Sequence, residues 1–392
     1  MTYDKTFSIA VFEGDGIGPE ITTPCCRLLE KVCALANGLH PERPIKLDFS
    51  YLPAGARAYL DCGDALPAAS VESARQADAI LLSAMGDPAI RYPDGTELTP
   101  QIDLRFELGL YAGLRPIRTI PGVPGPLSDP RAKDIDFVLV RESIEGLFAP
   151  QAPGRMIGDE QAEETLVITR KVSEKLFDAT FRLASQRTAK RQAAGENRST
   201  RVTCIDKANV FQAFAFFRKL FHEAADRAHK LDKTGSSSRW TTDHAYVDIM
   251  SLNLVTHPWD YDVMVTENMF GDILSDLGAA LVGGMGYAPS ADIGDDHAVF
   301  QPCHGTAPDI AGRGLANPTA MFLSGAMMLE WLGNRHNNIN LLVASQLFVE
   351  AIDSAFAAGQ LRTVELGGPA GLNEVTDSVE NALSAIQQRA KE

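Results

Sequence analysis

The chain has 392 residues, 45% of them hydrophobic, and a formal net charge of −15. That length suits two domains of ~150 residues each, and no run of roughly 18 apolar residues predicts a membrane span. The acidic balance opposes nonspecific contact with nucleic acid or anionic membranes, so neither is expected as a partner and any local arginine cluster becomes informative.

The N-terminus has no basic segment followed by an apolar one, so no secretory signal is expected. Cysteines 25, 26, 33, 62, 204 and 303 form no Cys-x-x-Cys. That pattern predicts reduced thiols in a cytoplasmic protein, with no zinc site or disulfide framework. Residues 7–12 predict a strand, followed by a glycine turn and a helix over 19–36. A strand over 46–51, a helix over 70–76 and a short strand over 77–82 follow. This alternation predicts an α/β architecture with parallel strands. Residues 119–132 are rich in proline and glycine and predict a surface connection. Strands are predicted over 137–140, 201–205 and 261–266, and helices over 169–187, 210–230, 316–332 and 341–358. Residues 192–200 and 233–238 predict polar loops.

The turn Gly14-Asp15-Gly16-Ile17-Gly18 has the spacing Gly-x-Gly-x-Gly. A dinucleotide fingerprint needs Gly-x-Gly-x-x-Gly, and a tight strand-to-helix turn explains the glycines equally well. No P-loop is present. Asp272 and Asp276 stand at i and i+4 after the 261–266 strand. On a helix they lie on one face, ~5.4 Å apart along the axis, and repel. A hard cation such as Mg²⁺ or Mn²⁺ relieves that repulsion; a solvated acidic face is the alternative. Arg105, Arg115 and Arg141 each follow an apolar residue. Internal salt bridges to Glu107 or Glu142 account for any one of them. All three together point to a di- or tricarboxylate, which guanidinium forks match in geometry. Lys207, at the end of a strand with Asn209 beyond it, is either a desolvated proton acceptor or an exposed loop lysine. The loop His304-Gly305-Thr306-Ala307-Pro308-Asp309, with Asn317 after it, has small residues that admit a ligand closely. An acid there can bond ribose hydroxyls and repel a 2′-phosphate.

Taken together, these segments resemble the isopropylmalate/isocitrate/tartrate/malate family of metal-dependent β-decarboxylating dehydrogenases. The resemblance runs from Gly14 to Pro318 and rests most on Asn268-x-Phe-Gly-Asp272-Ile-Leu-Ser-Asp276 and His304-Gly-Thr-Ala-Pro-Asp309. It implies an α/β, two-domain, non-Rossmann fold with a mixed parallel/antiparallel sheet. Residues 1–110 plus 283–392 would bind the cofactor, and 111–282 would carry dimerisation, metal and substrate. It implies a homodimer with shared active sites, in which Lys207, Asn209 and Asp248 enter the neighbour's site. Asp248 then completes a metal site with Asp272 and Asp276. The implied activity is NAD-dependent, Mg²⁺- or Mn²⁺-dependent oxidative decarboxylation of a small hydroxy-dicarboxylate or tricarboxylate, of the 3-isopropylmalate type. D-malate, tartrate and isocitrate types are the alternatives. Lys207 would take the hydroxyl proton, and the three arginines would orient the carboxylates. His304, Gly305, Thr306, Ala307, Asp309 and Asn317 would bind NAD.

Two departures stand out. Many family members carry an acid tyrosine seven residues after the third arginine, and this chain has Phe148, which has no proton to give. That substitution keeps a non-catalytic, regulatory role open. The segment before the first arginine matches neither the leucine-rich isopropylmalate pattern nor the Ser/Asn isocitrate pattern. Leu98 and Ile102 are expected to offer an apolar pocket there, with Thr99 and Gln101 reaching a polar group.

Overall fold

Apolar runs bounded by glycine and proline gather into one large sheet. A computed structural model of the chain describes residues 5–150, 154–196, 199–231 and 240–389. The first stretch gives β1 (Lys5–Phe12), α1 (Gly18–Leu39), β2 (Ile45–Tyr51), α2 (Ala56–Cys62), α3 (Ala68–Gln76), β3 (Ala79–Leu82), α4 (Pro100–Leu108), β4 (Ala112–Arg118) and β5 (Asp136–Glu142). The middle gives β6 (Arg155–Ile157), β7 (Gln161–Glu163), α5 (Arg170–Ala193), β8 (Thr200–Asp206), α6 (Gln212–Leu231), β9 (Trp240–Tyr246), α7 (Val247–Thr256), β10 (Val263–Thr266) and α8 (Asn268–Leu281). The remainder gives β11 (Pro289–Ile293), β12 (Ala298–Pro302), α9 (Thr319–His336), α10 (Ile339–Ala357) and α11 (Leu372–Arg389).

The strand order is β2-β1-β3-β12-β11-β4-β5-β10-β8-β9. The flanks are parallel, whereas β11 runs antiparallel to both its neighbours and β4 antiparallel to β5. The expected mixed α/β sheet is therefore present, with its antiparallel seam at the centre. Strands β6 and β7 form a separate ribbon.

The cores separate along the sheet. One cluster joins β1, α1, α9, α10 and α11 through residues such as Ile9, Leu29, Phe322, Phe348 and Leu383. Two others lie in the middle of the chain, around Phe177, Phe217 and Val265, and around Leu139, Met250 and Leu274. Each buried Leu, Ile or Phe contributes about 1.5–3 kcal/mol. Helix α10 is as long and apolar as a membrane span, but Leu341, Phe348 and Ile352 are buried in the first core.

The sequence missed β4, β9, β11, β12 and the helices α2, α4 and α11. Helix α5 outruns its expected end by six residues and takes in the start of the predicted 192–200 loop, of which only 197–198 lie outside the described residues, whereas all of 233–238 lies outside them. Proline shifts α9 to Thr319, because Pro318 disfavours the helical conformation in Asn317 before it.

Candidate active site

Register at the central seam builds the site. Gly113 on β4 lies opposite Arg141 on β5 and opposite Asp292 on β11. Opposed residues share a sheet face, and so do residues two apart. Arg115, Arg141, Ser143, Ser290 and Asp292 therefore share one face, and Gln301, opposite Ser290, joins them. Gly113 has no side chain because a Cβ there would stand 2.9 Å from Asp292 Oδ1 and 2.7 Å from Ser143 Oγ. The result is a cavity of about 200 Å³ whose walls include Arg105, Arg115, Arg141, Asp272, Asp276, Gln101, His304 and Gly305.

Helix α8 supplies the acidic wall. Glu267 caps it by accepting the N–H groups of Met269 and Phe270. Asp272 and Asp276 then project one turn apart into the cavity. Burial pushes the Asp276 carboxyl above its ordinary range, and Asp272 adds to that against the opposing pull of Arg141 and Arg115. Gly271 lets Arg141 lie against the helix: a Cβ there would meet Arg141 Cγ at 2.6 Å.

The arginines are held, not free. Arg141 donates Nε and Nη2 to Asn268 Oδ1 at 2.9 and 2.7 Å and pairs with Asp272. Burial, with Arg105 nearby, pulls it down to about 10. Arg105 Nε donates to Asp292 Oδ2 at 3.1 Å, and Arg115 Nη2 to Asp292 Oδ1 at 3.4 Å. Burial alone would raise Asp292, yet Arg105, Arg115 and Arg141 hold it below the ordinary carboxylate range. Neither Glu107 nor Glu142, the partners weighed from sequence, takes this part: Glu107 pairs with Arg75. Asp292, Gln301, Ser83 and Ser290 were not anticipated. The available signal was an acid in the short, small-residue strand Pro-Ser-Ala-Asp-Ile.

The opposite wall carries unpaired polar atoms. Ser83 Oγ, Gln101 Oε1 and His304 Nε2 are buried without a hydrogen-bond partner. Such atoms fit a site that a ligand completes. Thr99 precedes α4 and makes no capping bond; it does not line the cavity. Leu98 is not at the cavity either. It is buried in a satellite cluster with Ala56 and Ala65, ahead of the start of α4.

The glycine turn after β1 holds the 304–307 loop. A Cβ at Gly16 would stand 2.1 Å from Thr306 O, and Ile17 donates its N–H to that oxygen at 2.9 Å. Asp15 accepts the N–H groups of Ala56, Arg57 and Gly86. Thr306 is buried, and Ala307 takes φ +40°, a left-handed conformation unusual for alanine. Asp309 is exposed. Asn317 uses its side-chain oxygen on Thr319 and its amide on Glu365 Oε1 at 2.7 Å.

Lys207, Asn209 and Asp248 do not line this cavity. Lys207 Nζ meets Asp248 Oδ1 at 2.5 Å, at the foot of β8 and the start of α7. That bond lowers the Asp248 carboxyl. Asn209 is exposed beside them. Among the described residues no three His, Cys, Asp or Glu side chains come together as metal ligands. One chain thus presents two hard oxygen donors, Asp272 and Asp276, as an incomplete set. Phe148 stacks near Arg141, 5.5 Å from guanidinium carbon to ring centre.

Three arginines and two helical carboxylates line one cleft of ligand size. Residues 8–381 match the family described as isocitrate/isopropylmalate dehydrogenase. The 3-isopropylmalate/3-methylmalate dehydrogenase of Methanocaldococcus jannaschii is 36% identical, over 95% of this chain and 97% of its own. The homoisocitrate dehydrogenase of the same organism is also 36% identical, over 95% of this chain and 96% of its own. The isocitrate dehydrogenase structure from Methylococcus capsulatus superposes with TM-score 0.77 at 31% identity, covering 96% of this chain and 99% of that one. The chain belongs to the isocitrate/isopropylmalate dehydrogenase family and is an oxidoreductase, a decarboxylating dehydrogenase of the isopropylmalate, homoisocitrate or isocitrate type.

Proposed function

We propose that the protein is an NAD-dependent, Mg²⁺- or Mn²⁺-dependent enzyme for oxidative decarboxylation of a 2-hydroxy acid bearing a 3-carboxylate, of the 3-isopropylmalate type. The observation that carries this reading is the convergence of Asp272 and Asp276 with Arg105, Arg115 and Arg141 on one cavity. When bound, the divalent cation supplies a Lewis acid beside the substrate hydroxyl, and the nicotinamide supplies the hydride acceptor. Asp272 and Asp276 would hold the cation. The arginines grip the substrate carboxylates and orient the one that leaves. Lys207, as the neutral amine, would take the hydroxyl proton, and Asp248 would join Asp272 and Asp276 in holding the cation. His304 and Gly305, with Thr306, Ala307, Asp309 and Asn317, would receive the NAD.

Lys207 and Asp248 reach this chemistry only from a second copy. Helices α7 and α8 favour such a homodimer: Ile249, Leu252, Val255 and Ile273 are 43%, 56%, 47% and 61% exposed. Large apolar side chains clustered on helix surfaces mark an interface. The same helices carry Asp248 and Asp272, so packing them together across a two-fold axis brings the acids toward each other. We further assign residues 111–282 to dimerisation, metal and substrate, and 1–110 with 283–392 to the cofactor. The segregation of the cores supports that division.

The test is formation of reduced nicotinamide from 3-isopropylmalate and related acids, with Mn²⁺ and with a chelator. Activity should require the metal and favour NAD⁺ over NADP⁺, since the Asp309 carboxylate repels a 2′-phosphate. Undiminished turnover in excess chelator would overturn the metal assignment, and a preference for NADP⁺ that of Asp309.

A further inference from the structure

Asp292 is a carboxylate with no solvent contact, placed behind the arginines that face the cavity. Its Oδ2 accepts from Arg105 Nε at 3.1 Å and Gln301 Nε2 at 2.7 Å. Its Oδ1 accepts from Arg115 Nη2 at 3.4 Å and Ser143 Oγ at 3.2 Å. These partners come from α4, β4, β12 and the end of β5, and the missing side chain at Gly113 makes the room. A pocket assembled from so many segments is built for this one group.

Its effect is to use up arginine donors. Arg105 and Arg115 are bridged to each other through Asp292. Arg141 spends Nε and Nη2 on Asn268 and Nη1 on Asp272. Both terminal nitrogens of Arg105 carry no hydrogen bond among the described residues, enough for one carboxylate in a bidentate fork, while Arg115 and Arg141 keep only part of their donors for the cavity. Charge leads to the same point. Arg105, Arg115 and Arg141 are matched by Asp272, Asp276 and Asp292, so the protein's own groups sum to zero and a bound divalent cation would leave the two positive charges that a dicarboxylate cancels. Without Asp292 the arginines would be left in excess by one. The rest of the wall, Leu82, Ala84, Met85 and Gln101, is uncharged.

We infer that Asp292 sets the substrate class, acting as a built-in carboxylate that stands where a third substrate carboxylate would be neutralised, and so confines the enzyme to 2-hydroxy dicarboxylates with an uncharged substituent. This rests on the reading of the cavity as a hydroxy-acid site. Asp292 touches no reacting atom; it is a positioning residue that acts through Arg105 and Arg115.

The experiment compares kcat/KM for 3-methylmalate, a dicarboxylate, and isocitrate, a tricarboxylate, in the wild type and in Asp292→Asn. The wild type should favour 3-methylmalate by about 100-fold or more, the scale set by one unmatched like charge. Asp292→Asn keeps an acceptor but removes the charge. It should shift the ratio toward isocitrate by about tenfold or more, mainly through the KM for isocitrate. A merely structural role would lower both values together and leave the ratio unmoved, which would overturn the inference. So would a wild type that uses isocitrate as well as 3-methylmalate, a result that needs no variant to fold. A wild type that reduces NAD⁺ with neither these acids nor 3-isopropylmalate overturns the hydroxy-acid reading itself, whereas turnover with an unmoved ratio overturns only the role of Asp292.

Discussion

Asp276 stands at the cavity wall beside a second carboxylate, and no lysine or arginine is paired with it among the described residues. A cation is what that arrangement lacks. Asp276→Asn should weaken Mn²⁺ binding by about 100-fold or more, since even residues behind the ligands change metal affinity 10–100-fold. Calorimetric titration with Mn²⁺ checks it, and unchanged binding would remove Asp276 from the metal site. Phe148 raises a separate expectation. Its ring lies beside Arg141, so a hydroxyl added there enters the neighbourhood of the bound acid. General acids contribute about 10²–10⁴-fold. Phe148→Tyr should speed decarboxylation without altering hydride transfer, seen as a smaller ¹³C isotope effect; an unaltered effect would mean that the proton comes from elsewhere. Glu142 concerns stability. Burial is the main cause that lifts its carboxyl to about 7, with Glu145 and Glu267 adding to it against two backbone N–H groups. The folded state therefore holds this proton longer than the unfolded chain, so stability falls as pH rises from about 4.5 to about 7 and is level above that. The loss is about 3 kcal/mol. Glu142→Gln should flatten that slope in urea unfolding across the same range; an equally steep slope would assign it to other groups.

At the scale of elements, the seam between β11, β4 and β5 and the helix α8 fix the arginines against the acids. Gly271→Ala tests that contact. Alanine favours the helix by about 1 kcal/mol, but its Cβ would press on Arg141. Overpacking costs about 1–3 kcal/mol. Tm should move little, while kcat/KM falls about 10–100-fold because displacing a gripping residue by ~1 Å is that costly. Full activity would mean that Arg141 need not lie on α8. The paired acids of α8 were legible in the sequence because i, i+4 spacing on a strand-to-helix segment fixes their face. Arg115 was legible as a residue but not as part of a strand, since Arg115-Pro116 interrupts the apolar pattern of β4. Asp292 was not legible at all. Its meaning comes from opposing Gly113 and Arg141 across two antiparallel ladders, and cross-strand register between segments some 150 residues apart leaves no periodicity to read. The glycine turn was read correctly as a tight turn. Its further task, seating the Thr306 loop, depends on a distant contact.

For the molecule as a whole, the decisive property is the proposed sharing of one site between two copies. Lys207 and Asp248 are bonded to each other outside the cavity, and an apolar helix surface lies beside them. The sequence pointed to sharing only through the family resemblance, because composition and spacing say nothing about which copy a residue serves. Sharing can be measured with two inactive proteins. Lys207→Met and Arg105→Ala are each expected to be inactive alone. After subunit exchange, half of the dimers are mixed, and each mixed dimer has one site with both residues intact, so activity should return to roughly a quarter of the wild-type level. Complete absence of activity, with exchange demonstrated by mass-labelled subunits, would contradict a site built from two copies.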